Sequence, residues 1–332
     1  MGLKAKILYD YNLMSLRYWQ KNKILMEPLY GNKTGVSHNP GMVICMCDGR
    51  FRSGGLADRL HGILSLYAFC NAKNIPYKVN FCEPFRLKEY LEPNEVDWDI
   101  EPNELCYDLH GAEPILMACS SRSNGASIDQ EANFMYRYLE AKIKKGYKKE
   151  YHIYTNMHYV CRPDLYSNLF HKFFKLSKPL KEAIDWNKNQ IGSKYVSVTL
   201  RFQNLLGDFK EGNFPTLSEN QQHELIYKVR SKIQILHKEY HPDMKFLITS
   251  DSRKFLDVID KEDWCYTIPG KLVHMSYTPV HDFNTHLKSF VDLLMLSEAE
   301  KLYLLVTDDM YKSGFAESAA LINNKPYEVI FF

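Results

Sequence analysis

From residue 42 onward, short apolar runs alternate with longer stretches in which apolar side chains recur every three or four positions. The short runs read as buried strands and the longer ones as amphipathic helices laid on them. Residues 42–47 form the first such run. A turn, Ser53-Gly54-Gly55, leads into a helix over 56–73 whose inward stripe is Leu60, Ile63, Leu64, Tyr67 and Ala68. Residues 76–81 make the next strand, so this is a β-α-β unit with a glycine turn. The pattern is less regular over 84–190, where it predicts a helix at 129–145, a strand at 150–155 and a helical stretch over 164–186.

The alternation is sharper in the second half. Residues 195–200 form a β-branched strand ending at Arg201, followed by a loop with Gly207 and Gly212. A long helix over 217–240 follows, opened by Thr216 or Ser218 as cap. Strands are then expected at 245–249, 264–268, 301–306 and 327–331, with helices at 252–259, 283–298 and 313–322 between them. Repeated β-α alternation implies a parallel sheet covered on both faces. The domain reading is an N-terminal arm (1–40, aromatic and basic, with a helix around 10–24), a first domain over 41–185 and a second over 186–332. The arm reads as a docked segment, with a peripheral-membrane or acceptor-side element as the alternative.

Composition narrows the partners. A net charge of +2 on 332 residues supplies no overall field for nucleic acid or acidic lipid, so any anion recognition has to be local. No stretch approaches the roughly 20 apolar residues of a membrane span. The start, Met1-Gly2-Leu3-Lys4, has no apolar signal core, and the expectation is a cytoplasmic protein, with peripheral association at the inner membrane face left open. The eight cysteines are scattered, with no C-x-x-C pair, and read as reduced thiols. Cys45 and Cys47 lie on one face of a strand, where they are core neighbours.

Ligands of parallel sheets collect beyond the carboxyl ends of the strands, and four polar sites fall there. Gly54 and Gly55 allow close backbone approach, and the helix they precede, with Arg59 in it, offers free N–H groups. Arg201 ends a strand, where a guanidinium can grip a diphosphate with two parallel hydrogen bonds or pair with a neighbouring carboxylate. Asp251, in Thr249-Ser250-Asp251-Ser252, either accepts hydrogen bonds from a base or ribose or caps the next helix. Ser313-Gly314-Phe315 opens the last predicted helix and makes a second anion-binding end, a helix cap, or both. No metal-ligand cluster is visible. Asp97-Trp98-Asp99 has the D-x-D form of a metal site but lies among Pro93, Asn94 and Pro102, and reads as a solvated loop.

In order and spacing these four sites resemble the fucosyltransferase superfamily, which includes bacterial nodulation, core α1,6, plant xyloglucan and protein O-fucosyltransferases. Gly54-Gly55-Leu56-Ala57-Asp58-Arg59-Leu60 is similar to that group's G-G-L-G-[ND]-R-L signature, with Ala57 in place of a glycine. Residues 196–201 resemble its strand ending in H-x-R, with Thr199 where histidine is usual and Phe202 where a second basic residue is usual. Residues 246–251 resemble its strand leading to S-D, and 313–320 its S-G-F-x-x-x-A-A motif. The resemblance implies a GT-B fold, two Rossmann-like α/β domains with parallel sheets facing a central cleft. It implies an inverting, metal-independent transfer of fucose from GDP-fucose to a glycan acceptor, with Arg201 and Ser313 to Phe315 on the diphosphate and Asp251 on the guanosine. Such a transfer needs a base for the acceptor hydroxyl. Glu211, in an E-x-x-F segment, is favoured slightly over Asp208, in Gly207-Asp208-Phe209. The alternatives are a GT-B transferase using another nucleotide sugar, or a non-catalytic carbohydrate- or nucleotide-binding protein on the same scaffold. A dehydrogenase is disfavoured, because the full G-x-G-x-x-G fingerprint is missing.

Overall fold

The structure, a computed structural model, describes residues 30–31, 35–51, 53–117, 128–156, 163–211, 214–307 and 309–332. The helix expected around 10–24 and Gly212 lie outside those residues. The chain divides into two compact units between Lys175 and Leu176.

The first unit is built on β1 (Val43–Cys47), α1 (Leu56–Lys73), β2 (Tyr77–Phe81), β3 (Leu91–Pro93), β4 (Ala112–Met117), α2 (Ile128–Lys142), β5 (Glu150–Thr155) and α3 (Pro163–Phe173). Its four-stranded parallel sheet has the order β2-β1-β5-β4. Every residue of β1 is buried, as its unbroken apolar run requires, and Cys45 and Cys47 are both in the core. The end of the expected arm is stitched to this unit: Tyr30 is buried, and the Gly31 N–H donates to the Tyr107 carbonyl at 3.0 Å. The strand β4 had no clear signal, because Glu113 and Pro114 interrupt its apolar run. It survives because β4 is an edge strand, where a missing N–H costs no ladder bond.

The single helical stretch expected over 164–186 is two helices. Between them runs β6 (Phe174–Leu176), paired with β3, and then α4 (Lys178–Ile191). Pro179 has no N–H and its ring would clash with the preceding turn of a continuous helix, so the helix restarts with proline in its first turn. The Ser177 hydroxyl caps it, accepting from the Leu180 N–H. The domain boundary was expected at 185/186, within α4. That helix packs instead on a helix of the second unit, α7 below.

The second unit continues with β7 (Tyr195–Leu200), α5 (Glu219–His237), β8 (Lys245–Ser250), α6 (Arg253–Ile259), β9 (Cys265–Tyr266), α7 (Phe283–Glu298), β10 (Leu302–Val306), α8 (Phe315–Ile322) and β11 (Tyr327–Phe331). Helix starts follow the side chains at hand: Ser218 caps α5 with Gln221, Ser252 caps α6 through the Phe255 N–H, and Asp282 caps α7 through the Thr285 N–H. The five strands are parallel in the order β11-β10-β7-β8-β9. From β7 the chain moves outward on one side through β8 and β9, then returns to the other side as β10 and β11. The reversal lies between β7 and β10, the topological switch point at which open α/β sheets bind ligands.

One expectation for the first unit is corrected. The Asp97-Trp98-Asp99 segment is not a solvated loop. Trp98 is fully buried, stacks on Phe173 and donates its indole N–H to the Phe173 carbonyl at 2.8 Å. Asp97 pairs with Lys78, and Asp99 with Arg86 and Lys88. A large aromatic between two charged residues is drawn inward by its own area, and the carboxylates take the nearest cations.

Candidate active site

All six residues of β7 are buried, and the strand ends at the switch point with Arg201. The register brings its neighbour level: Leu200 lies opposite Ser250, so Arg201 and Asp251 leave the sheet side by side. The Arg201 Nη1 is 3.2 Å from Asp251 Oδ2. Asp251 is buried and also takes two main-chain donors, the Phe202 N–H on Oδ1 at 2.8 Å and the Gln203 N–H on Oδ2 at 2.7 Å. Burial raises its pKa, while Arg201 and the amides pull it back down. Gln203 holds a φ of +54°, a left-handed conformation that costs a non-glycine residue about 1 kcal/mol. The two amide bonds to Asp251 offset that cost and fix the turn that aims Arg201.

The two departures from the H-x-R pattern have structural reasons. Phe202 is fully buried and packs on Phe255 with ring centroids 5.2 Å apart, so a second cation at this position would face the core. Burying that ring contributes about 1.5–3 kcal/mol. Thr199 is also buried, and its hydroxyl meets that of Thr249, its register partner, at 3.0 Å.

The loop after β7 returns to Arg201. Phe209 lies under the guanidinium at 4.9 Å, and Glu211 Oε2 forms an ion pair with Nη2. The Glu211 N–H donates to the Asn204 side-chain oxygen at 2.7 Å, and the Asn204 amide donates to the Phe214 carbonyl at 3.1 Å. One asparagine thus braces both flanks of residues 212–213. The other Glu211 oxygen, Oε1, is 3.5 Å from His274 Nε2. Asp208 is placed differently. Its Oδ2 accepts from the Ser252 hydroxyl at 2.9 Å and the Lys254 N–H at 2.7 Å, closing the first turn of α6. Among the described residues Asp208 forms no ion pair.

The third element at the switch point follows β10. The Tyr311 N–H donates to the Arg201 carbonyl at 3.2 Å, strapping the β10 loop to the end of β7. Ser313 Oγ accepts from the Phe315 N–H at 3.2 Å, and the Ser318 hydroxyl donates to the Gly314 carbonyl at 2.8 Å. Gly314 is exposed, and a Cβ there would meet nothing within 4 Å. The start of α8 therefore presents open backbone beside the sheet edge that carries Arg201.

Gly54, Gly55 and Arg59 belong to the first unit. Gly54 has a φ of +80°, and a Cβ there would collide with the Asp58 carboxylate. That carboxylate accepts from the Gly55 N–H at 3.1 Å, and Arg59 donates from Nε to the Gly54 carbonyl at 3.1 Å and from Nη1 to the Glu83 carbonyl at 2.7 Å. Arg59 is buried over Phe81, and burial lowers its pKa. It locks the glycine turn from behind.

Of the residues singled out from sequence, the structure gathers Arg201, Glu211 and Asp251 into one cluster. It puts Ser313 to Phe315 on the neighbouring strand's loop and sets Asp208 apart. Sequence reasoning missed His274, Asn204 and Phe209. His274 lies beyond β9 in a segment without periodicity, His274-Met275-Ser276-Tyr277, and only the tertiary fold brings it to Glu211.

No protein-family model matches the chain, and no curated protein matches its sequence. Solved structures do match it. The NodZ α-1,6-fucosyltransferase co-crystallised with GDP is 13% identical over 85% of this chain and 92% of that one, with a TM-score of 0.55. The same enzyme soaked with GDP-fucose gives 13% identity, the same coverage and a TM-score of 0.53. A selenomethionine form of fucosyltransferase NodZ from Bradyrhizobium is 14% identical, over 85% and 91% of the two chains, at a TM-score of 0.55. Two α/β units, each on a parallel sheet, with a polar switch point in the second, give this chain the GT-B fold seen in these solved structures.

Proposed function

We propose that this chain is an inverting glycosyltransferase that moves fucose from GDP-fucose to a hydroxyl of a glycan acceptor. The observation that carries the reading is Arg201, partly open at the switch point with a partly open carboxylate, Glu211, at its side. The guanidinium holds the diphosphate, and the start of α8, with open backbone at Gly314 and the Ser313 hydroxyl beside it, takes a further phosphate oxygen. The acceptor oxygen bonds to the sugar's anomeric carbon as the bond to phosphate breaks. The electron pair leaves on the diphosphate, where Arg201 stabilises it, and the acceptor proton passes to Glu211. A protein that only binds has no use for a carboxylate beside the diphosphate site. The geometry supports Glu211 over Asp208, whose oxygen is committed to α6. It supports Asp251 as the residue that positions Arg201, since both its oxygens already serve the protein. Gly54, Gly55 and Arg59 contribute through the shape of their turn.

The deciding experiment is a thermal-shift screen with GDP, UDP, ADP and CMP, followed by a nucleotide-sugar hydrolysis assay. GDP at about 100 times its dissociation constant stabilises the fold by roughly 2.7 kcal/mol; UDP does not. A shift with UDP alone keeps the transferase reading and discards GDP-fucose. GDP binding with no turnover of GDP-fucose makes the chain a binding protein.

A further inference from the structure

In the resting site both terminal nitrogens of Arg201 face carboxylates: Nη2 pairs with Glu211, and Nη1 lies 3.2 Å from Asp251. A diphosphate that takes both terminal nitrogens in two parallel hydrogen bonds competes with these carboxylates, and one of them gives way. Asp251 cannot leave cheaply, because it is buried and also carries the two amide bonds that set the 201–203 turn. Glu211 is the carboxylate that yields. It is more exposed, and its second oxygen already faces another donor. The Ser276 N–H donates to His274 Nδ1 at 3.2 Å, so the neutral ring carries its proton on Nε2, which lies 3.5 Å from Glu211 Oε1. The Tyr277 N–H donates to the His274 carbonyl at 2.9 Å, and the Tyr277 ring lies 5.1 Å from the imidazole, so the histidine is held from two sides.

We propose that His274 is a positioning residue for the transfer: arrival of the donor diphosphate takes Arg201 from Glu211, and His274 keeps the released carboxylate in place. The Arg201–Glu211 pair is then a resting contact that the donor breaks. While paired, Oε2 is occupied by the guanidinium and is not available to an acceptor hydroxyl. Once Arg201 turns to phosphate, Oε2 is free to take the acceptor proton, and the His274 N–H beside Oε1 becomes its hydrogen-bond partner. Base and donor site become ready in one event, which places donor binding before acceptor deprotonation. This rests on the functional reading above, and the two are separable by experiment.

The test is a double-mutant cycle read as GDP affinity by calorimetry on the full chain. Glu211→Gln removes the carboxylate that competes with the diphosphate, so GDP binds more tightly, by roughly fivefold, the size of a partly exposed ion pair. His274→Leu leaves the displaced Glu211 without a partner and weakens GDP binding by a similar factor. His274→Gln, which keeps an N–H donor, restores most of it. In the Glu211→Gln background His274→Leu changes nothing, because there is no charge left to receive. The hand-off is overturned if Glu211→Gln binds GDP no more tightly than wild type, or if the His274→Leu loss persists undiminished in that background. Should His274→Leu not fold, the Glu211→Gln arm decides alone. A wild-type chain that binds no GDP sinks the functional reading and this inference with it. A wild-type chain that binds GDP but shows no coupling sinks only the inference.

Discussion

The two units end their central strands in the same chemistry and enclose it differently. Beyond β1, Arg50 pairs with Asp48 at 3.4 Å, with side chains only 6% and 5% exposed. Asp48 also accepts from the Tyr154 hydroxyl at 2.9 Å and the Tyr107 hydroxyl at 3.3 Å, while the Arg50 guanidinium lies over the Tyr30 and Tyr107 rings. Behind them His152 meets the Tyr30 hydroxyl at 2.6 Å, and burial pushes its pKa down to about 3, so it is neutral. Burial likewise raises Asp48, and its hydroxyl and arginine partners pull it back. Beyond β7, Arg201 and Glu211 are 18% and 16% exposed. An enclosed pair is costly to break, because removing one partner leaves a buried charge. A pair that water already reaches can exchange one partner for a ligand, because much of its desolvation cost is not incurred. Arginine beside carboxylate is thus not by itself a ligand site; access and a replaceable partner make it one.

The comparison breaks most visibly at Arg201. Arg201→Ala is expected to lower transfer on the order of a thousandfold, since its interaction strengthens as charge develops on the leaving diphosphate. Arg201→Lys recovers only part, a point charge replacing a planar fork. Both variants fold, because Asp251 keeps its two amide donors. Near wild-type transfer by a folded Arg201→Ala would remove the basis for placing the site in the second unit.

Asp48→Ala should act in the opposite manner. It strands the Arg50 charge in a buried, aromatic setting and is expected to cost about 3–5 kcal/mol of stability, read from denaturant unfolding, with GDP affinity of the folded chain unchanged. A normally stable Asp48→Ala chain that has lost transfer would instead make the β1 cluster part of the chemistry.

The smallest expected effect is that of EDTA. If Arg201 and the start of α8 carry the leaving charge as proposed, and with Asp97 and Asp99 held by Lys78, Arg86 and Lys88, turnover is expected to continue after chelation. Complete loss, restored by manganese, would redirect attention to those two carboxylates.

Much of the fold was legible because apolar periodicity is local. The strands β1, β7 and β8 and the helices α1, α6 and α7 stand within a residue or two of their expected limits, and Ser252 and Ser313 sit where helix starts were read. What escaped was also physical: β4 hides behind Glu113 and Pro114, which only an edge position tolerates, and the break at Pro179 is masked by apolar recurrence on both sides.

By itself the sequence determined the alternation of strands and helices, the two α/β halves, and Arg201 at a strand end, because each depends on residues close together in the chain. Only the tertiary structure decided what each carboxylate touches. Asp208, Glu211 and Asp251 are similar acids in similar loops. Strand register sends Asp251 to the 201–203 turn, the first turn of α6 claims Asp208, and the order of strands sets Glu211 between Arg201 and a histidine sixty-three residues further along the chain.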